Sequence, residues 1–264
     1  MIAVILLAAP CQARAQRLER VLNRASDYVQ QFERDFAMVI SDETYEQDDH
    51  RAHRARELQS EMAFLWLPRE QTWLAVRNVL AVTEAGKTRR IHDGDTRLAR
   101  VLNSSSIGQV RRLADEGARF NLGRIKRNVN DPTLVLRFLD ETYRSRFDFQ
   151  LAEPEERVNG VDAWMLTFTE RQRPTVIGTD ADVFSTGALW VSRVDGTVLR
   201  TRLTIAPGQP TASLTVDYGR DPKLGMWVPA RMEEIYTELP HESITCVARY
   251  TNFRRFETSG RVLE

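Results

Sequence analysis

Apolar residues recur at every second position through most of this chain, and at every third or fourth position in only a few stretches. Near the start, Leu18, Val21, Leu22, Ala25, Val29, Phe32 and Phe36 are spaced by three and four. That spacing predicts an amphipathic helix whose single apolar stripe needs a sheet to cover. The pattern turns strand-like over 36–45. Over 58–67, Leu58, Met62, Phe64 and Trp66 alternate with Gln59, Glu61 and Ala63, a period-two strand that Pro68 ends. A third strand is predicted over 73–82, with Leu74, Val76, Leu80 and Val82 on one side. Glu84-Ala85-Gly86-Lys87 then reads as a turn.

The period changes over 95–143. Leu98, Val101 and Leu102 predict a short helix. Ile107, Val110, Leu113, Ala114, Ala118 and Leu122 predict another, with Ser104, Ser105 and Ser106 supplying its N-cap. Asp131-Pro132 opens a third, with Asp as cap and Pro at the first helical position, and Leu134, Val135, Phe138 and Leu139 as its stripe. Strand patterns resume at 147–151, 163–169, 187–193, 197–205, 212–218, 226–236 and 244–250. Asn159-Gly160 and Asp195-Gly196 stand between apolar runs, which predicts hairpins with type I′ turns. The stretch 172–185 has little strand pattern and is expected to be a mobile loop. No internal repeat or Gly/Ser/Pro-rich linker divides the chain. The expected fold class is α+β: a curved antiparallel sheet of about ten strands, with helices covering the concave face.

The first fifteen residues change the picture of compartment. Residues 2–9 form an uninterrupted apolar run, and Ala13-Arg14-Ala15 fits the small-x-small rule for signal peptidase. Residues 1–15 are therefore expected to be a signal peptide lacking its basic n-region, and 16–264 a single exported domain, periplasmic or secreted. The run is far shorter than the roughly 20 residues of a transmembrane span. Pro10 stands where a lipoprotein signal before Cys11 wants a small residue. Cleavage after Ala15 leaves Cys246 alone, so no internal disulfide is expected. Lys and Arg total 37 against 37 Asp and Glu, which argues against a nucleic-acid or anionic-membrane surface.

Motifs of catalysis are weak. His50-x-x-His53 follows Asp48-Asp49, but in an extended segment two such histidines diverge, and zinc wants three or four converging ligands. A solvated hairpin loop is the better reading. Ala85-Gly86-Lys87-Thr88 imitates a phosphate-binding loop without its earlier glycine, since Ala81 stands there. There is no Gly-x-Ser-x-Gly elbow. Carboxylate pairs such as Asp42-Glu43 and Glu233-Glu234 read as solvated faces. No cofactor and no metal are expected, and the chain is expected not to be an enzyme. Trp66, Trp73, Trp164, Trp190 and Trp227 all fall on predicted strands, where bulky residues on a concave face can pack a helix or line a cavity.

An apolar leader, an amphipathic helix, three strands, a helical insertion near 95–143 and a meander containing the hairpin Gly-Ala-Leu-Trp-Val-Ser-Arg-Val-Asp-Gly-Thr-Val-Leu-Arg (187–200) follow in order. This layout resembles the LolA/LolB-like family of bacterial envelope proteins, which includes RseB-type envelope-stress regulators. The resemblance implies an open half-barrel, lidded by helices, whose apolar interior holds a lipoprotein acyl chain, a lipid or another hydrophobic small molecule. Phe64, Trp66, Leu74, Val76, Trp190 and Leu199 are the residues expected to line that interior. Burial of ten methylenes would supply roughly 8 kcal/mol before association costs. The alternative is an envelope-stress or assembly module with a packed interior that binds a protein partner through its exposed loops, 172–185 especially. A third reading is an enzyme assembled from distant segments. An open apolar cavity favours the carrier, a packed core the partner-binding module, and a polar cleft with converging His and carboxylate groups the enzyme.

Overall fold

The period-two segments pair into one antiparallel sheet. In the computed structural model, the described residues are 8–67, 72–91, 94–103, 107–123, 127, 130–178, 182–205, 211–239 and 242–256. Most of the apolar leader, the Ser104–Ser106 cap, Pro68 and Pro207-Gly208 lie outside them.

The strands are β1 (Val39–Asp49), β2 (Arg54–Leu67), β3 (Thr72–Glu84), β4 (Lys87–Arg90), β5 (Phe147–Val158), β6 (Val161–Glu170), β7 (Ser185–Ser192), β8 (Val198–Ile205), β9 (Thr211–Asp221), β10 (Met226–Leu239) and β11 (Glu242–Arg255). They form one sheet of 11 strands in the order β4-β3-β2-β1-β11-β10-β9-β8-β7-β6-β5. The chain runs two meanders, joined where β1 pairs with β11. β4 and β5 remain as edges, so the curved sheet is an open half-barrel rather than a closed barrel. β4 is the strand that sequence patterning missed: Lys87-Thr88-Arg89-Arg90 has no apolar residue, and all four are exposed, a charged edge that discourages further pairing.

Helix α1 (Ala8–Phe36) lies on the concave face. Its stripe Val21, Leu22, Ala25, Val29, Phe32 and Phe36 is buried as the spacing predicts. Phe36 meets Phe64, Trp73 and Phe253 at ring-centroid distances of 4.9, 6.3 and 6.2 Å. The helix ends at Phe36, and two residues on, Met38 has a φ of 57°, the left-handed conformation that commonly follows a helix end. A 3-10 helix, η1 (Leu134–Leu139), packs beside α1 on the same face. It starts at Leu134, with Thr133 and not Asp131 in the N-cap position and no side-chain cap; Asp131 instead accepts from the Thr133 backbone N–H at 2.8 Å in the turn just before it. Ser26 Oγ ties α1 to the Leu139 carbonyl at 2.7 Å, and Tyr218 OH ties the sheet to the Pro132 carbonyl at 2.7 Å. A one-turn helix, α4 (Glu141–Arg144), leads into β5. It is numbered after the two helices of the insertion, α2 (Gly94–Asn103) and α3 (Ile107–Ala118).

Those two insertion helices do not share the concave face with α1. Leu98, Leu102, Val110 and Leu113 pack against Ile40, Ala63, Leu65 and Val76, on the opposite face of β1–β3. The reason is legible in β2. Met62 and Phe64 point one way and Ala63 and Leu65 the other, and all four are buried. A strand apolar on both faces needs cover on both. α3 also guards the length of β3 that β4 leaves unpaired: a Cβ added at Gly117 would lie 2.6 Å from the Arg77 carbonyl oxygen.

The predicted hairpin turns differ in detail. Asn159 and Gly160 have φ of 53° and 81°, and Ala85 and Gly86 have 50° and 73°, as type I′ turns require. Asp195-Gly196 closes a four-residue loop instead: Ser192 N donates to Thr197 O at 2.8 Å, and within the loop only Gly196 has a positive φ, 83°. The loop at 172–185 is folded back on the sheet. Val176 N donates to Glu170 Oε1 at 2.6 Å, Thr175 N to Asp182 Oδ1 at 2.7 Å, and Ile177 is buried in the core.

Candidate functional site

The six residues named from sequence fall into three separate clusters. Phe64 is fully buried in the concave core beneath Phe36, and Trp66 packs at the margin of that core, 5.7 Å from Trp73. Leu74 and Val76 are on the opposite face, under the insertion helices. Trp190 and Leu199 belong to a third cluster with Val158, Ala163 and Ala188, where Trp190 Nε1 donates to Glu156 at 2.7 Å. The structure does not bring them together around one cavity. The concave face beneath α1 and η1 is filled by side chains.

The concave face is different where β3, β2, β1, β11 and β10 run side by side. Glu43, Tyr45 and Gln47 alternate along β1 with exposed or half-buried residues, so they share the inner face. Register places Glu43 opposite Tyr250, and Gln47 opposite Cys246. Glu234 lies on the other side of Cys246. Arg77 reaches in from β3, and Arg127 from the segment after α3.

These side chains form a buried polar cluster. Arg77 donates to Glu43 through Nε at 2.5 Å and Nη2 at 2.8 Å, a two-point ion pair, and its guanidinium lies 4.0 Å from the Tyr45 ring centroid. Tyr45 OH and Tyr236 OH both donate to Glu234 Oε2, at 3.0 and 2.7 Å. Arg127 Nη1 donates to Tyr45 OH and Gln47 Oε1, both at 2.8 Å, and contacts Cys246 Sγ at 3.3 Å; Nη2 donates to the Leu122 carbonyl at 2.6 Å. Gln47 clips the segment after α3 in place, accepting from Leu122 N at 2.8 Å and donating to the Phe120 carbonyl at 3.1 Å.

Burial dominates the electrostatics here. It raises the Glu234 carboxyl above the ordinary range, against the hydrogen bonds from Tyr236 and Tyr45 and the charges of Arg127 and Arg77. It pushes the Cys246 thiol up to about 11, so Cys246 is a buried small apolar residue and not a thiolate nucleophile. Several buried polar atoms meet no hydrogen-bond partner: Glu234 Oε1, Tyr250 OH, Ser41 Oγ, Ser60 Oγ, Asn121 Oδ1 and Arg127 Nε. Unmatched polar atoms are uncommon in native interiors, and among the described residues these six account for most of them, the others being on Tyr28, Asn78, Arg146 and Trp164.

A recess of about 500 Å³ opens beside the cluster. Met62, Ala75, Arg77 and Arg127 are among its buried or half-buried walls, and Asp115 and Arg119 are exposed in it. Small-molecule sites fall in this size range. The sequence missed it because Gln47, Tyr45 and Glu43 read only as the polar half of an alternating strand, and Arg127 follows no motif. The signal available was a cluster of charged residues on strands with apolar neighbours. The His50–His53 pair lies in the exposed β1–β2 hairpin, with His50 Nε2 at 3.0 Å from Thr245 Oγ1, as a solvated loop. Among the described residues no group of three or more His, Cys, Asp or Glu side chains converges to hold a metal, and no helix is long and apolar enough to cross a membrane.

No family model matches the chain, and no curated protein matches it. Solved structures do. One is a DUF1329 family protein from Desulfovibrio piger, 14% identical, covering 91% of this chain and 95% of that one, with a TM-score of 0.45. An outer-membrane lipoprotein-sorting protein domain from Vibrio parahaemolyticus is 13% identical, with 91% and 95% covered and a TM-score of 0.38. A LolA superfamily protein from Nitrosomonas europaea is 11% identical, with 91% and 94% covered and a TM-score of 0.38. Structures similar to this chain thus include the LolA superfamily that its sequence layout resembles. At these scores the likeness carries no argument about function, which rests on this chain's own geometry.

Proposed function

We propose that this chain is an exported, non-enzymatic binding protein of the bacterial envelope, a single domain over 16–264, that engages a protein partner from its surface. The packed concave face carries this reading. Five side chains of α1 larger than alanine (Val21, Leu22, Val29, Phe32 and Phe36) are buried there. At 1.5–3 kcal/mol each, they hold the helix with about 8–15 kcal/mol. Ten methylenes of an acyl chain supply roughly 8 kcal/mol before association costs, at the low end of that range, so the balance favours α1 over such a guest. The apolar leader supports export.

One observation favours the acyl-chain carrier as a second reading. A groove of about 310 Å³ lies between α1 and β5, lined by Arg14, Ala15, Leu18, Gln150 and Leu151. Removal of residues 1–15 would widen it. Of the six residues named from sequence, Phe64 and Trp66 share the concave face with α1 and remain the proposal for a lining that forms on opening, with Trp66→Ala as its probe; Leu74 and Val76, and Trp190 and Leu199, belong to other clusters.

Native mass spectrometry of the mature chain, purified gently from a periplasm, separates the two readings. A clean apo mass that takes up no added fatty acid or phospholipid supports the packed module. A bound mass that extracts as lipid overturns it in favour of the carrier. Cross-linking in the same preparation should recover one partner reproducibly in a defined stoichiometry.

A further inference from the structure

We propose that the recess between α3 and β3 is a binding site for a small molecule carrying an oxyanion group, a carboxylate or a phosphate. This goes beyond the partner-binding reading and stands whether or not a partner is found.

Arg127 is the central observation. Its side chain belongs to a residue only 6% exposed, yet its partners are a phenol, an amide, a thiol and a carbonyl, with no carboxylate among them. Its Nε–H meets no acceptor, and Nη2 makes one hydrogen bond with two hydrogens to offer. A guanidinium edge with free N–H groups matches two oxygens of a carboxylate or phosphate. The carboxyl whose charge it feels, Glu234, is hydrogen-bonded to Tyr45 and Tyr236 and not to Arg127, so an oxyanion in the recess would be its direct partner.

The surroundings agree in sign. Among the described residues, Arg127, Arg119 and Arg77 line the recess with Asp115 as the one acid, and Glu43 already offsets Arg77. Asn121 and Asn130 also line the recess, and the side-chain amide of Asn121 is buried with its oxygen unmatched. Either orientation of that amide offers a polar contact. The apolar wall of Met62, Ala75 and Ala114 suits the carbon skeleton of such a ligand.

The test is calorimetric titration of the full chain with inorganic phosphate and, separately, with succinate, at ionic strength held constant with sodium chloride. Saturable binding of at least one is expected. The preferred anion then identifies the group, phosphate or carboxylate. Arg127→Met should weaken binding at least tenfold, with the far-ultraviolet circular dichroism unchanged. If that variant does not fold, Arg119→Glu, at an exposed position, should weaken binding several-fold. The proposal is overturned if neither anion saturates at tens of millimolar, or if the folded variants bind as the parent does.

Discussion

The ion pair between Arg77 and Glu43 should behave as a buried pair and not as a surface one. The Arg77 side chain is 4% exposed and the Glu43 side chain is fully buried, with two hydrogen bonds between them. Arg77→Met would strand the Glu43 carboxylate in the interior, at a cost of about 3–5 kcal/mol. At about 2–4 °C per kcal/mol for a chain near this size, that is a drop in Tm of roughly 10 °C. Glu43→Leu strands the guanidinium and should cost a similar amount, since the Tyr45 ring offsets only part of its charge. The double variant removes both charges and both desolvation costs. It should lie close to the parent or above it, a coupling of several kcal/mol in the double-mutant cycle. Urea unfolding followed by tryptophan fluorescence measures all four proteins. Repeating it in 1 M sodium chloride, where the screening length is about 3 Å, should leave the coupling nearly unchanged because the pair is shielded from salt. Additive single effects, or an Arg77→Met cost below about 1 kcal/mol, would refute the assignment of a buried pair.

Three further outcomes are expected. Gly187→Ala should destabilise by about 1–3 kcal/mol, because the new Cβ would meet the Arg202 carbonyl and come within 2.5 Å of the Phe168 ring; denaturant midpoints check it. Cys246 should resist a thiol reagent at pH 8 in the folded chain, and a thiol at this position should react once urea unfolds it; rapid native labelling of Cys246 would contradict its burial. The raised Glu234 carboxyl keeps its proton in the native state at pH values where the unfolded chain has released it, so its contribution to stability falls as pH rises from the ordinary carboxylate range through the folded value. Glu234→Gln should therefore gain on the parent as pH rises through that window, in thermal melts from pH 4 to 8. A gain that grows toward acid pH would reverse the sign.

Local elements were legible because their causes are local. The stripe from Val21 to Phe36 is buried as its spacing requires, and β9 alternates Leu214, Val216 and Tyr218 inward against half-buried Thr215 and Asp217. Asn159-Gly160 formed the type I′ turn, and Asn159 Nδ2 also donates to the Tyr218 carbonyl on β9 at 3.1 Å from within that turn. Asp195-Gly196 did not, because a longer loop there brings Gly196 against the backbone of Arg24 on α1, where a Cβ would lie 2.7 Å from a carbonyl oxygen. The stretch 172–185 has no periodicity, yet Glu170 and Asp182 hold it through backbone hydrogen bonds that pattern reading does not register.

The alternation of side chains along the strands and the three-and-four spacing of α1 were determined by the sequence itself, since backbone geometry converts each period directly into a face. The α+β class, the antiparallel meanders and the helix over the concave sheet followed from that. Which face each cluster occupies was decided only by tertiary structure. Phe64, Val76 and Trp190 look alike as apolar strand residues, and they separate into three cores once register and curvature are set. The polar cluster is the clearest case. Glu43, Arg77, Arg127 and Glu234 are far apart in the chain, and each alone reads as a solvated charge. The pairing of β1 with β11 joins the two meanders and takes these groups out of water, so that burial, which no local pattern encodes, gives them their chemistry.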